Sequence, residues 1–250
     1  MGRTWSVVPY LKKCFKNEED AIKVFIKEVL LNLDALKEHG LFFEFTSDPF
    51  LKNTHVLIEK CVKFCMHCDI PVKILTKNNP IKYCDIARWD TDNNKRLLSF
   101  GFTLTGHDEL EPGANTNIER IEAMHKLHDL GFLTFASIEP IIDFESSLKM
   151  IRETLDFCDL YLIGLQSGKK YDKGDLISFV YNIEFPSDFS NTKYYFKDSL
   201  LNKAGINRED LPKNCVGRDY KLHETKSSKY NSALPSFNEM SEFIKTNITK

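Results

Sequence analysis

Short apolar runs rich in β-branched or aromatic residues recur along this chain at a steady pitch, and that pitch constrains the fold more than any other feature. The runs begin at residues 41, 72, 101, 132, 160 and 193, so successive starts fall 31, 29, 31, 28 and 33 residues apart. Parallel strands need a long crossover, usually a helix, before the next strand can run in the same direction, and one strand plus one such helix takes about thirty residues. The chain therefore reads as an α/β protein of about six βα units.

The segments between the runs carry helical periodicity. Ile22, Phe25, Ile26, Val29, Leu30 and Leu33 share one stripe, with Glu18, Glu19 and Asp20 in the first turn, where negative charge suits the helix dipole. Gly40 stops that helix ahead of the first run. Residues 116–130 repeat the pattern, with Ile118, Ile121, Met124, Leu127 and Leu130 expected to face inward and Gly131 ending the helix. Asn115 or Thr116 caps it, and Glu119 is placed to complete a capping box. Residues 145–157 form another such helix. The runs are apolar nearly throughout, as in a parallel sheet covered by helices. After residue 205 the pattern fades into a polar, turn-rich stretch, with a short closing helix expected at 239–248. The expected organisation is an N-terminal segment and helix (1–39), a partial parallel (β/α) barrel (40–205) and a polar C-terminal tail (206–250).

Composition narrows the function classes. Hydrophobic residues at 42% and charged residues at 28% exclude a collagen-like, low-complexity or wholly disordered chain. With 34 basic and 36 acidic side chains the formal net charge is −2, so nucleic acid or anionic membrane is not recruited by overall charge and any such contact has to be local. The local candidate is 213–229, where five Lys/Arg stand against Asp219 and Glu224, a stretch read first as a solvated tail. The strongest apolar stretch, 24–33, is broken by Lys27, Glu28 and Asn32 and is too short to span a membrane. Seven cysteines in an odd, uneven set, with no signal-peptide layout at the N-terminus, point to a reducing, cytoplasmic location.

In parallel α/β sheets and barrels the ligand site lies beyond the carboxyl ends of the strands, where successive loops converge. Those positions read off as Thr46-Ser47-Asp48-Pro49, Thr76-Lys77-Asn78, Thr105-Gly106-His107, Ser137 with Glu139-Pro140, Gly164 with Gln166-Ser167-Gly168, and Lys197-Asp198-Ser199. Each by itself is explained as a cap or a satisfied turn. Six in succession point to a polar rim that binds a small, charged ligand. Glu111, ahead of the Pro112-Gly113 turn, faces either that rim or solvent. His107 is the one histidine in a strand-end loop, and no nucleophilic triad, phosphate loop or dinucleotide glycine pattern appears.

These residues carry a resemblance. The succession Phe43-Glu44-Phe45-Thr46-Ser47-Asp48-Pro49, Ile74-Leu75-Thr76-Lys77, Glu111-Pro112-Gly113-Ala114 ahead of Arg120-Ile121, and Ser137-Ile138-Glu139-Pro140-Ile141-Ile142 resembles the radical S-adenosylmethionine superfamily. Within it the chain is similar to the branch around spore photoproduct lyase and phage-associated barrel proteins, over roughly residues 40–200. The resemblance implies a partial barrel in which a 4Fe-4S cluster, held by three cysteine thiolates, binds S-adenosylmethionine, whose reductive cleavage yields a radical that abstracts a substrate hydrogen. It implies that Thr46, Ser47 and Asp48 meet the amino group of the cofactor, that Lys77 meets its carboxylate or the substrate, and that Ser137 and Glu139 line the rim. His107, Gln166, Ser167 and Lys197 are left as the substrate rim, for a nucleic-acid or other large substrate.

The family pattern for the cluster is Cys-x3-Cys-x2-Cys, and Cys61, Cys65 and Cys68 have that spacing. They lie, however, in a segment that reads as the crossover helix to the second run, where the three positions point within about 60° of one another on the stripe of Leu57 and Phe64. That stripe packs on a sheet, and buried cysteine behaves there as a small hydrophobe. The favoured reading assigns no metal ligands, with Cys61, Cys65 and Cys68 as the alternative set. Since Thr46-Ser47-Asp48-Pro49 matches the family's second strand end, the first unit and its cysteine loop belong upstream, and the chain reads as a fragment ahead of a cluster-free descendant or an enzyme with moved ligands. A missing unit would leave a sheet edge for a partner chain, or for the stretch 10–15, to cover. Two further readings stand beside the radical enzyme. One is a non-catalytic α/β scaffold binding a nucleotide-like ligand or a protein partner, and the other a metal-independent barrel enzyme using Lys77, Glu139 or Lys197.

Overall fold

The computed structural model describes residues 14–43, 48–183 and 191–223. Among the described residues, six strands lie in the order β1-β2-β3-β4-β5-β6, each following the last in sequence, and every described register is parallel. This α/β arrangement matches a partial (β/α) barrel of six units. The described residues divide into two compact units. The first holds the described residues 14–43, 48–74, 80–98 and 223, and the second 75–79, 99–183 and 191–222.

The first unit holds helices α1 (Glu18–Leu31) and α2 (Leu33–His39), strand β1 (Leu41–Phe43), helix α3 (His55–His67), most of strand β2 (Val72–Thr76) and helix α4 (Asp92–Leu97). Asn17 caps α1 by accepting from the Asp20 N–H at 2.9 Å, and Ile22, Ile26 and Val29 are buried along the expected stripe. Gly40 ends α2 with φ of 76°. A Cβ there would lie 2.9 Å from the Pro71 carbonyl, which accepts from the Leu41 N–H and starts β1 against β2.

The second unit holds strand β3 (Leu98–Thr103) from Ser99, helix α5 (Asn117–Asp129), strand β4 (Leu133–Ile141), helix α6 (Phe144–Thr154), strand β5 (Leu160–Leu165), helix α7 (Lys173–Tyr181), strand β6 (Lys193–Phe196) and helix α8 (Asp198–Ala204). Gly101 on β3 pairs with Phe135 on β4, and a Cβ there would sit 2.1 Å from the Phe135 ring, so glycine is what lets that ring pack. The capping box of α5 forms between Thr116 and Glu119. β4 runs further than its apolar run suggests, with a register break between Ile138 and Ile141, so Ser137 and Glu139 belong to the strand itself.

One inward face differs from expectation. On α5, Ile118 is 67% exposed, and its C-cap Leu130 is 38% exposed, while Asn117, Arg120, Ala123, Met124 and Leu127 are buried. The polar side chains Asn117 and Arg120 take inward places because each satisfies backbone groups at the end of β3. Past α8, part of the stretch read as tail lies along β6: Tyr194 donates to the Asn214 carbonyl and accepts from the Val216 N–H, both at 2.9 Å. Arg208 fastens it by donating to the carbonyls of Val216 at 2.8 Å and Phe196 at 2.7 Å. The expected closing helix at 239–248, and most of the stretch 10–15, lie outside the described residues.

Candidate functional site

The second unit gathers charge at the carboxyl ends of its strands. Arg120 on α5 is wholly buried. Its Nε donates to the Asn115 carbonyl at 2.8 Å, and its Nη1 donates to the Thr103 carbonyl at 2.7 Å and to Glu111 Oε2 at 2.6 Å. Glu111, its side chain 6% exposed, also accepts from Thr105 Oγ1 at 3.3 Å and pairs through Oε1 with Lys77 Nζ at 2.7 Å. Glu111 thus faces the rim, and one carboxylate serves two cations. Lys77 is the more open of the pair, its side chain 41% exposed. Among the described residues, Arg120 Nη2 has no hydrogen-bond acceptor. The loop after β2 is held to this group by Asn115, which donates from its N–H to the Lys77 carbonyl at 3.1 Å and accepts from the Asn79 N–H at 2.9 Å.

His107 follows β3 and joins it to α6. Its Nδ1 lies 2.8 Å from Glu109 Oε1 and its Nε2 lies 2.5 Å from Asp143 Oδ2. The bond to Asp143, then that to Glu109, raises the imidazole above its usual value against a small opposing effect of burial. With each nitrogen facing a carboxylate, the protonated ring can donate to both as a clamp, and in that form it has no lone pair to offer as a base. Asp143 also caps α6, accepting from the Ser146 N–H at 2.8 Å. Burial pushes its carboxyl up, but the bonds from Ser146 and His107 together hold it below the ordinary range. Asn117 orders the start of the same loop by accepting from Thr105 N–H at 3.1 Å and Gly106 N–H at 3.2 Å.

Glu139 on β4 and Lys197 after β6 form an ion pair. Gly164 on β5 makes room for it: a Cβ there would lie 2.8 Å from the Glu139 carboxyl and 3.0 Å from Lys197 Cδ. Ser137 is buried on β4. Gln166 and Ser167 are exposed in the turn after β5, where the Gln166 N–H donates to Tyr171 Oη at 2.9 Å. Lys77 is thus brought together with Glu111 and Arg120, and Glu139 with Lys197. Thr46 and Ser47 lie outside the described residues. Asp48, in the first unit, turns its own loop by accepting from the Phe50 N–H at 2.9 Å. Arg120 was missed as a site residue, although the order Glu111 then Arg120 already stood among the matched motifs.

The resemblance implies a 4Fe-4S cluster on three thiolates, and the thiols present do not fit it. Cys61 and Cys65 lie within α3, Cys68 is its C-cap, and all three are buried. Burial pushes Cys61 up to about 12 and Cys68 up to about 11, and raises Cys65 as well, where ligation needs the thiolate. Among the described residues, which include all seven cysteines, no group of three or more His, Cys, Asp or Glu is placed to hold a metal ion. No described helix is long and apolar enough to cross a membrane.

The parallel sheet with its polar strand ends is similar in fold to solved structures of larger proteins. The particular similarity is to Streptococcus suis SuiB: one crystal structure matches 71% of this chain at 14% identity with a TM-score of 0.52. A second, of SuiB bound to the precursor peptide SuiA, matches 77% at 14% identity with a TM-score of 0.56. The matched parts cover 44% and 46% of SuiB, so the chain spans less than half of that protein. At this identity the likeness is one of fold. No protein-family model and no curated protein matches the sequence.

Proposed function

We propose that this chain is a ligand-binding protein on a radical S-adenosylmethionine fold, whose strand-end rim takes an S-adenosylmethionine-type molecule, an adenosine carrying an amino-acid tail. The observation that carries this reading is the Lys77–Glu111–Arg120 chain: two cations share one carboxylate, and the half-open ammonium stands at its outer end. Burying a guanidinium is a costly way to stabilise a core, and an apolar side chain of similar volume does as well or better. The half-exposed ammonium of Lys77 at a strand end instead suits the carboxylate of an amino-acid tail. Glu139 and Lys197, fitted over Gly164, offer one acceptor and one donor for the ligand's hydroxyls and amino group. The sequence resemblance and the shared fold both support this ligand class. A cytoplasmic setting agrees with seven cysteines outside any disulfide.

Titration calorimetry with S-adenosylmethionine, S-adenosylhomocysteine and 5′-methylthioadenosine tests the reading. The first two should bind, and 5′-methylthioadenosine, which lacks the carboxylate, should bind at least about tenfold more weakly. Lys77→Ala should erase that preference. A protein that binds none of the three overturns the proposal. The competing reading, iron–sulfur-dependent radical generation on a nucleic-acid or other large substrate, requires a cluster that the thiols of this chain do not accommodate.

A further inference from the structure

We infer that this chain works without an iron–sulfur cluster of its own, the three thiols with cluster spacing serving as the core face of α3, so that a ligand on the rim is held intact. The ligand half of this inference rests on the rim reading above, while the thiol half stands independently.

A cluster-binding segment wraps its metal as a loop, and residues 61–68 are committed to a closed helix instead. The Cys68 N–H donates to the Phe64 and Cys65 carbonyls, both at 3.1 Å. The Asp69 N–H then reaches the Met66 carbonyl at 3.1 Å, and the Ile70 N–H reaches back to the Cys65 carbonyl at 2.9 Å. With Asp69 at φ of 54°, this is a Schellman closure, and Cys65 supplies its innermost acceptor. Freeing three thiols to face one cluster means unwinding the last two turns of α3 and exposing Val62 and Phe64, which have no exposed surface at all. Each of those two side chains adds about 1.5–3 kcal/mol of burial that unwinding would forfeit. The remaining thiols offer no second set: Cys84 and Cys158 are buried, and only Cys14 and Cys215 have appreciable exposure.

Two measurements on the whole chain decide this. Thiol titration of the native protein with an aromatic disulfide reagent should show one fast group, Cys14, with the half-buried Cys215 reacting slowly, and all seven in denaturant. Rapid reaction of five or more native thiols overturns the inference. Anaerobic reconstitution with ferrous iron, sulfide and a thiol reductant should then leave less than about one iron per chain after gel filtration, against about four for a cluster. Four irons lost on replacing Cys61, Cys65 and Cys68 with alanine would overturn it, and so would four irons retained by that variant, which would place a cluster on other ligands. S-adenosylmethionine is finally titrated into the iron-free protein. Binding supports both the inference and the rim reading. An iron-free protein that fails to bind removes the rim reading and the intact-ligand half, and leaves the thiol half standing.

Discussion

Helices α3 and α5 each turn an inward face carrying residues that look chemical, and they use that face in opposite ways. On α3 the inward residues are cysteines with the spacing of metal ligands, and they pack as small hydrophobes beside Val62 and Phe64. On α5 the inward residues include Asn117 and Arg120, while Ile118 stands in solvent. Thiols accept burial readily because they have little hydration to lose. A guanidinium does not, so its burial requires the acceptors that Asn115, Thr103 and Glu111 provide. The lesson is that chemistry follows the partners a face meets, and a motif spacing does not reveal those partners.

Substitutions can break this contrast. The largest effect should come from Arg120→Ala, which strips the buried Glu111 of its guanidinium partner and leaves it Lys77 and the Thr105 hydroxyl; a loss of about 3–5 kcal/mol is expected in denaturant unfolding. A loss below 1 kcal/mol would mean that the pair is not buried as described. Cys65→Ser should cost about 1–3 kcal/mol, because a hydroxyl replaces a thiol in a site without solvent. A neutral result there would mean that α3 opens readily, contrary to its role as core. Thr116→Ala should cost about 1 kcal/mol by removing the cap of α5, seen as a lowered unfolding midpoint.

The His107 clamp should give a smaller signal that changes with pH. A histidine held above its ordinary value adds stability that is fully present below the unfolded value near 6.5 and is lost as the pH rises through the raised folded one. Asp143 and Glu109, held low, add stability above their unfolded values that is lost as the pH falls through the folded ones. The difference in Tm between wild type and His107→Asn should therefore be widest near about pH 6 and shrink toward about pH 9. A difference that is flat across this range would remove the clamp. Ile118→Lys, at an exposed position, should change stability by no more than about 0.5 kcal/mol.

Much of the architecture was legible in the chain. The six apolar runs marked the six strands found among the described residues because a parallel strand covered by helices is apolar on both faces, and their thirty-residue pitch left room for one crossover each. The extra length of β4 was hidden because Ser137, Glu139 and Pro140 interrupt the apolar run, and it is pairing with β5 that carries the strand to Ile141. The strand-end positions located Lys77, Glu139 and Lys197, since topology alone places them at one end of their strands. Arg120 was not legible as a site residue, because it lies a full turn into a helix and reaches the strand end only through a long side chain. Glu111 could have faced either way until Arg120 and Thr105 turned it inward.

By itself the sequence determined the order of the strands, the crossover helices between them, the capping box of α5 and the polarity of the strand ends, all of which follow from residues near one another in the chain. Only the tertiary structure decided which of those residues act together. Lys77, Glu111 and Arg120 are distant in sequence, and Cys61, Cys65 and Cys68 are close. The first three meet as an ionic centre because folding brings complementary charges within bonding distance. The last three remain packing groups because the helix that carries them closes on its own carbonyls.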